Sequence, residues 1–154
     1  MSKVSITYNG TSGFDIADEF MQLLFHYIKE ELVKPQYNLT NKEDLILGLT
    51  FEINGYSSGN LSLRWSNMFT SPAEEQTMIQ VLLNVIINLQ NKGTSISVAE
   101  MQAIPTDNDE NFYLLFSRKP FPTAELIKIT NALIQMLQGT WTSTNYSMDI
   151  NYKY

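Results

Sequence analysis

Two stretches of this chain echo one another. With Asn60 set against Asn111 and no gaps, the segment ending at Ile87 echoes the segment ending at Gln138. Identities fall at Asn60/Asn111, Leu63/Leu114, Ser66/Ser117, Ala73/Ala124, Glu74/Glu125 and Leu82/Leu133. Between them, aromatic or apolar residues meet (Trp65/Phe116, Leu61/Phe112), and amide meets amide (Gln80/Asn131, Asn84/Gln135). The echo reads either as a duplication or as the chance alignment of two strand–turn–helix segments. Both readings carry the same architectural expectation, a strand-turn-helix plan used twice.

Hydrophobic periodicity extends that plan along the chain. Val4, Ile6 and Tyr8 alternate with Ser5 and Thr7, the pattern of a half-buried strand, and Asn9 to Gly13 reads as a turn. Ala17, Phe20, Met21, Leu24, Phe25, Ile28 and Leu32 recur at helical spacing, predicting a helix from about Phe14 to Lys34 that Pro35 closes. Leu45, Leu47, Leu49, Phe51 and Ile53 alternate strictly, predicting a strand that forms a hairpin with Asn60–Ser66. Ser71-Pro72 opens a helix that Gly93 ends. The same plan follows with strands over Ser95–Ile104 and Asn111–Ser117 and a helix from Thr123 to Gln138, and a last strand covers Thr140–Tyr152. The expected order is β-α-ββ-α-ββ-α-β over residues 1–154 as a single α+β domain. Its economical packing is a two-layer sandwich, a mostly antiparallel six-stranded sheet with three helices on one face. The second helix is apolar on most sides and is expected to lie centrally, its narrow stripe of Gln76, Gln80, Asn84, Asn88 and Asn91 offering a homodimer contact as the alternative.

Composition narrows the function classes. The formal net charge is -6, and the arginines are Arg64 and Arg118 alone. Such a chain lacks the basic stripe that neutralises phosphates, which argues against nucleic-acid and anionic-membrane binding and favours a basic partner. With no cysteine there is no disulfide, thiolate or cysteine-ligated metal chemistry. No signal-peptide core or membrane-spanning run stands out, so a cytoplasmic protein is expected.

Catalytic signatures are missing, and no cofactor or metal is expected. His26 is the single histidine and falls opposite the apolar stripe of its helix, where it should be solvated. Asn41-Lys42-Glu43-Asp44 matches a guanine-reading tetrapeptide, but without a phosphate-binding loop it carries nothing. Asp107-Asn108-Asp109-Glu110-Asn111 begins like a calcium loop, yet Phe112 and Arg118 stand where glycine and a bidentate glutamate are needed. Glu52 and Glu100, each ahead of a hairpin loop, invite a paired-carboxylate reading whose strand parities disagree.

A binding module needs none of these signatures. The expected function is a non-enzymatic protein-binding module, a toxin-neutralising immunity or inhibitor protein being one form, acting through acidic loops on a basic partner. The expected contact residues are Glu43, Asp44, Asp107, Asp109 and Glu110, with Arg64 and Tyr113 on the open sheet face. The alternatives are a homo-oligomeric scaffold and a small-ligand site or enzyme pocket between helices and sheet.

Overall fold

β1 (Lys3–Tyr8) buries Val4, Ile6 and Tyr8 on one face and pairs antiparallel with β2 (Ser12–Ala17), Ile6 opposite Phe14 and Ser5 opposite Asp15. The computed structural model describes residues 3–8, 12–55, 60–63, 65–107, 109–143 and 146–152. The Ser5 hydroxyl donates across the pair to Asp15 Oδ1 at 2.5 Å. A Cβ on Gly13 would fall 1.6 Å from the Ile6 carbonyl oxygen, so the approach of the two strands demands glycine. The first helix therefore starts later than the periodicity suggested. Phe14 and Ile16 belong to β2, and α1 (Asp18–Leu32) begins where Asp18 and Glu19 meet the positive end of the helix dipole.

The remaining elements are α2 (Lys42–Ile53), β3 (Asn60–Leu63), α3 (Trp65–Met68), α4 (Pro72–Asn91), β4 (Ser95–Ile96), α5 (Val98–Gln102), α6 (Glu110–Leu115), β5 (Phe121–Pro122), α7 (Thr123–Gln138) and β6 (Tyr146–Ser147). The expected six-stranded antiparallel sheet with three helices on one face does not form. The strands make a four-stranded mixed sheet, order β3-β1-β2-β6, with β3 parallel to β1 and β6 parallel to β2. A separate antiparallel pair, β4–β5, sets Ile96 against Phe121 at the entrance to α7.

Three expected strands are wholly or largely helical, each for a local reason. In Leu45–Ile53 the alternating set contains a helical one: Leu45, Leu49 and Ile53 are four apart and buried, whereas Leu47 and Phe51 face solvent. Ser97 caps α5 by accepting from the Glu100 amide at 3.1 Å, the Ser-x-x-Glu arrangement of a helix start. Asp109 caps α6 through the Phe112 amide at 3.3 Å, and Phe112, Leu115 and Phe116 then point inward at helical spacing. The expected last strand shrinks to β6; beyond it Met148, Ile150 and Tyr152 are buried one by one, and the Tyr152 hydroxyl donates to the Lys119 carbonyl at 2.7 Å.

The central helix is α1, not α4. Its apolar stripe is buried as expected, and so are Leu23, Tyr27, Gln22 and Glu31 on other sides, because α2, α4, α6, α7 and the sheet all lean on it. An aromatic cluster of Phe20, Phe112, Phe116, Phe121 and Tyr152 closes one end, with ring centroids 4.8 to 6.3 Å apart. The internal echo survives in half of its length. Pro72 and Thr123, which correspond in the alignment, each begin a helix, and α4 and α7 pack on one another. Upstream, β3 and α3 stand where the second copy has α6, so there is no repeated ββα unit.

Candidate partner-binding face

α2 is held rigidly from both ends. Ahead of it, the Asn41 side-chain amide donates to the Met68 carbonyl at 2.6 Å, and the Lys42 ammonium donates to the Lys34 and Tyr37 carbonyls at 2.6 and 2.9 Å. Glu74 of α4 accepts from the Thr40 hydroxyl and amide and from the Thr70 amide, and these hydrogen bonds hold its carboxyl down at about 2. Behind this connection lies a buried network. The Glu31 carboxylate accepts from Lys34 at 2.7 Å, from Asn88 at 2.8 Å and from the Tyr37 hydroxyl, which in turn accepts from Asn84 at 2.6 Å. Burial alone would raise the Glu31 carboxyl, but the hydrogen bonds from Lys34, Tyr37 and Asn88 together hold it below its ordinary value.

At the far end of α2, the Gln22 side-chain amide donates to the Ile53 carbonyl at 3.1 Å and to Asp109 Oδ2 at 2.9 Å. Gly55, with φ +82°, turns the chain away, and a Cβ there would strike Asp109 Oδ2 at 2.4 Å. Asp109 is thus a positioning residue that joins α1, α2 and α6. Tyr113 is likewise engaged within the fold, its hydroxyl donating to the Ile104 carbonyl at 2.6 Å and accepting from the Thr106 amide at 3.0 Å. Arg64 lies outside the described residues.

The two acidic groups singled out in the sequence therefore sit at opposite ends of one helix. Glu43 and Asp44 are exposed in the first turn of α2, not in a loop. Asp107 and Glu110, also exposed, flank Asp109 beside its last turn. A helix of 12 residues is about 18 Å long, which sets the length of the surface between its two ends. Between the two groups, Leu47 and Phe51 are 68% and 55% exposed on the face that also carries Asp44 and Gly48. The sequence placed Leu47 and Phe51 on the buried face of an expected strand and gave no signal that singled out Gly48.

Other expected sites resolve differently. Glu52 lines a cavity of about 10 Å³ with Val4, Asp18, Met21, Gln22 and Phe25. Glu100 accepts from the Tyr27 hydroxyl at 2.5 Å and pairs with Lys92 at 2.8 Å. Gln22 and Tyr27 are five residues apart on α1, about 140° around the helix, so the two glutamates occupy different sides of α1 and form no acid–base pair. His26 is only partly solvated. Its side chain is only 18% exposed, lies 3.4 Å from Glu30 and stands edge-on to Tyr27, and burial lowers its pKa.

Asn84 and Asn88, placed in an outward amide stripe by the sequence, point into the Glu31 network, while Leu83 and Ile87 take the outer face of α4. An open groove of about 390 Å³ runs between α7 and the C-terminal segment, with Trp141, Tyr146 and Met148 along one wall and Ile127, Asn131 and Gln135 along the other. Among the described residues, no group of three or more histidines and carboxylates is arranged to hold a metal ion, and no helix is long and apolar enough to cross a membrane. No family model matches this chain, and neither a curated protein nor a solved structure is detectably similar to it.

Proposed function

We propose that the protein is a binding module that holds a basic protein partner against the outer face of α2. The observation that carries this reading is the pair Leu47 and Phe51, exposed between carboxylates at both ends of a helix anchored by buried hydrogen bonds. Large apolar side chains at the centre of an interface supply most of its affinity once a partner strips their water, and the surrounding charge selects which partner approaches. A rigid scaffold lowers the ordering cost of that contact. A protein that neutralises a basic toxin is one form this function takes, with Glu43, Asp44, Asp107 and Glu110 standing in for the anionic groups the toxin engages.

The test compares wild type with the double variant Leu47→Glu, Phe51→Glu in quantitative affinity capture from the native cell. Both side chains are largely solvent-exposed, so the variant should keep the wild-type circular dichroism spectrum. A basic protein recovered in near one-to-one amount by the wild type, released by salt and lost with the variant supports the reading. Equal recovery by both rejects it.

The groove beside α7 favours a second reading, a small-ligand site with Trp141 and Tyr146 as an aromatic wall and Asn131 and Gln135 as hydrogen-bonding groups. Ligand-observed NMR with a fragment collection tests it: hits that survive Asn131→Leu and Tyr146→Ala unchanged would dismiss it.

A further inference from the structure

Among the described residues, no contact requires a glycine at position 48. Gly48 lies within α2, where glycine is less favourable than alanine because it loses more backbone freedom on folding. No left-handed backbone angle calls for it, since Gly55, Gly93 and Gly139 hold the described positive-φ positions. Nor does any described packing call for it: among the described residues, a Cβ at Gly48 would meet nothing within 4 Å beyond its own helix and chain neighbours. Yet it sits in the middle of the exposed patch, with Asp44 four residues before it, Leu47 beside it and Phe51 three residues after. Leu47 and Phe51, four residues apart, form a ridge along α2, and the missing side chain at Gly48 leaves a shallow hollow on one flank of it, in the row of Asp44.

We propose that this hollow is a close-packing seat for a basic amphipathic α-helix of the partner, laid along α2 with an apolar side chain or its backbone against Gly48. The inference rests on the function proposed above and specifies what occupies that site. A helix of three to four turns matches the roughly 18 Å of α2, and lysine or arginine about two turns to either side of its central apolar residue would reach Glu43 and Asp44 at one end and Asp107 and Glu110 at the other. A second copy of this chain is the wrong occupant. Parallel, it would set Glu43 and Asp44 against themselves; antiparallel, it would set them against Asp107 and Glu110, like charges in both cases. An added strand is also the wrong occupant, because the backbone within α2 spends its hydrogen bonds inside the helix.

The experiment titrates a synthetic 18-residue helical peptide of leucine and lysine, and a matched leucine–glutamate peptide, into wild type, Gly48→Ala, Gly48→Leu, the pair Leu47→Ser with Phe51→Ser, and the pair Leu83→Ser with Ile87→Ser. Melting temperature is measured for each protein. One-to-one binding of the lysine peptide is expected, with the glutamate peptide at least tenfold weaker. Gly48→Leu should weaken binding tenfold or more, and Gly48→Ala should weaken it less while raising the melting temperature. Stability and affinity moving in opposite directions at one residue is the signature of a site kept open for a partner.

If Gly48→Leu binds as well as wild type while the Leu47/Phe51 pair does not bind, the seat is overturned and the α2 reading stands. If the Leu47/Phe51 pair binds as well as wild type, both are overturned. No saturable binding of the lysine peptide, or equal weakening by the Leu83/Ile87 pair, overturns the basic helix as occupant.

Discussion

α2 and α4 each present an apolar pair four residues apart to solvent, Leu47 with Phe51 and Leu83 with Ile87, yet the two surfaces are not alike. Around the α4 pair stand the neutral, exposed amides Gln76, Gln80 and Gln90. The α2 pair has carboxylates toward both ends of its helix and a glycine on its flank. Scattered exposed apolar groups are ordinary on protein surfaces, so exposure alone distinguishes neither helix. Charge does. A neutral apolar strip attracts without selecting, whereas an acid-bracketed one favours basic partners and repels acidic ones.

The comparison breaks first on stability. If α2 is a helix with Leu45, Leu49 and Ile53 inward, Leu49→Ala should cost about 2–5 kcal/mol in urea unfolding, and Leu47→Ala no more than about 0.5 kcal/mol. Comparable losses at the two positions would restore the strand in which both share a buried face. On α4 the contrast is between inner and outer amides. Asn88→Ala strips a donor from the buried Glu31 carboxylate and should cost about 1–3 kcal/mol, while Gln80→Ala, removing a solvated amide, should cost little.

A pH series sharpens this. Glu31 titrates below its ordinary 4.5 in the fold, so its contribution is fully present above that value and is lost as pH falls through the lowered folded one. Glu31→Gln should therefore flatten the acid limb of the melting curve. Glu19 has the opposite sign. Burial, reinforced by the neighbouring Asp18 carboxyl, lifts its carboxyl to about 8, and its Oε2 has no hydrogen-bond partner among the described residues, so stability should fall as pH rises from about 4.5 toward 8. Glu19→Gln should remove that decline; an unchanged decline would place its origin elsewhere.

Two smaller effects concern the surfaces themselves. Phe51→Ser should weaken partner binding by about 2 kcal/mol, roughly thirtyfold, and Leu83→Ser by less than about 0.5 kcal/mol, measured by calorimetry on the captured complex. Equal losses would make the two helices one surface. Gly48→Ala should stabilise the free protein by about 0.5–1 kcal/mol, a rise of roughly 1–4 °C in Tm. A drop would mean that Gly48 serves the fold.

The legible part of the site was its charge. Glu43, Asp44, Asp107 and Glu110 stand out in any reading of the chain, and the structure leaves all four exposed. Its apolar centre was hidden, because Leu45, Leu47, Leu49, Phe51 and Ile53 satisfy a period of two along their whole length and a spacing of four at every other member. A capping signal was available in Ser97-x-x-Glu100, which marks α5 where a strand was expected. Nothing comparable announces that Asp109 would reach across to Gln22, since that hydrogen bond joins residues 87 positions apart.

By itself the sequence determined the elements that local chemistry closes: β1 by strict alternation, α4 between Pro72 and Gly93, and α7 from Thr123 to a left-handed Gly139 at φ +76°. Tertiary structure decided the rest. Parallel pairing of β3 with β1 and β6 with β2, the burial of α1 on nearly every side, and the helical state of Leu45–Ile53 all depend on long-range contacts. Where a pattern fits two periods, the free energy of the partner surface chooses between them, and for residues 45–53 that partner is α1.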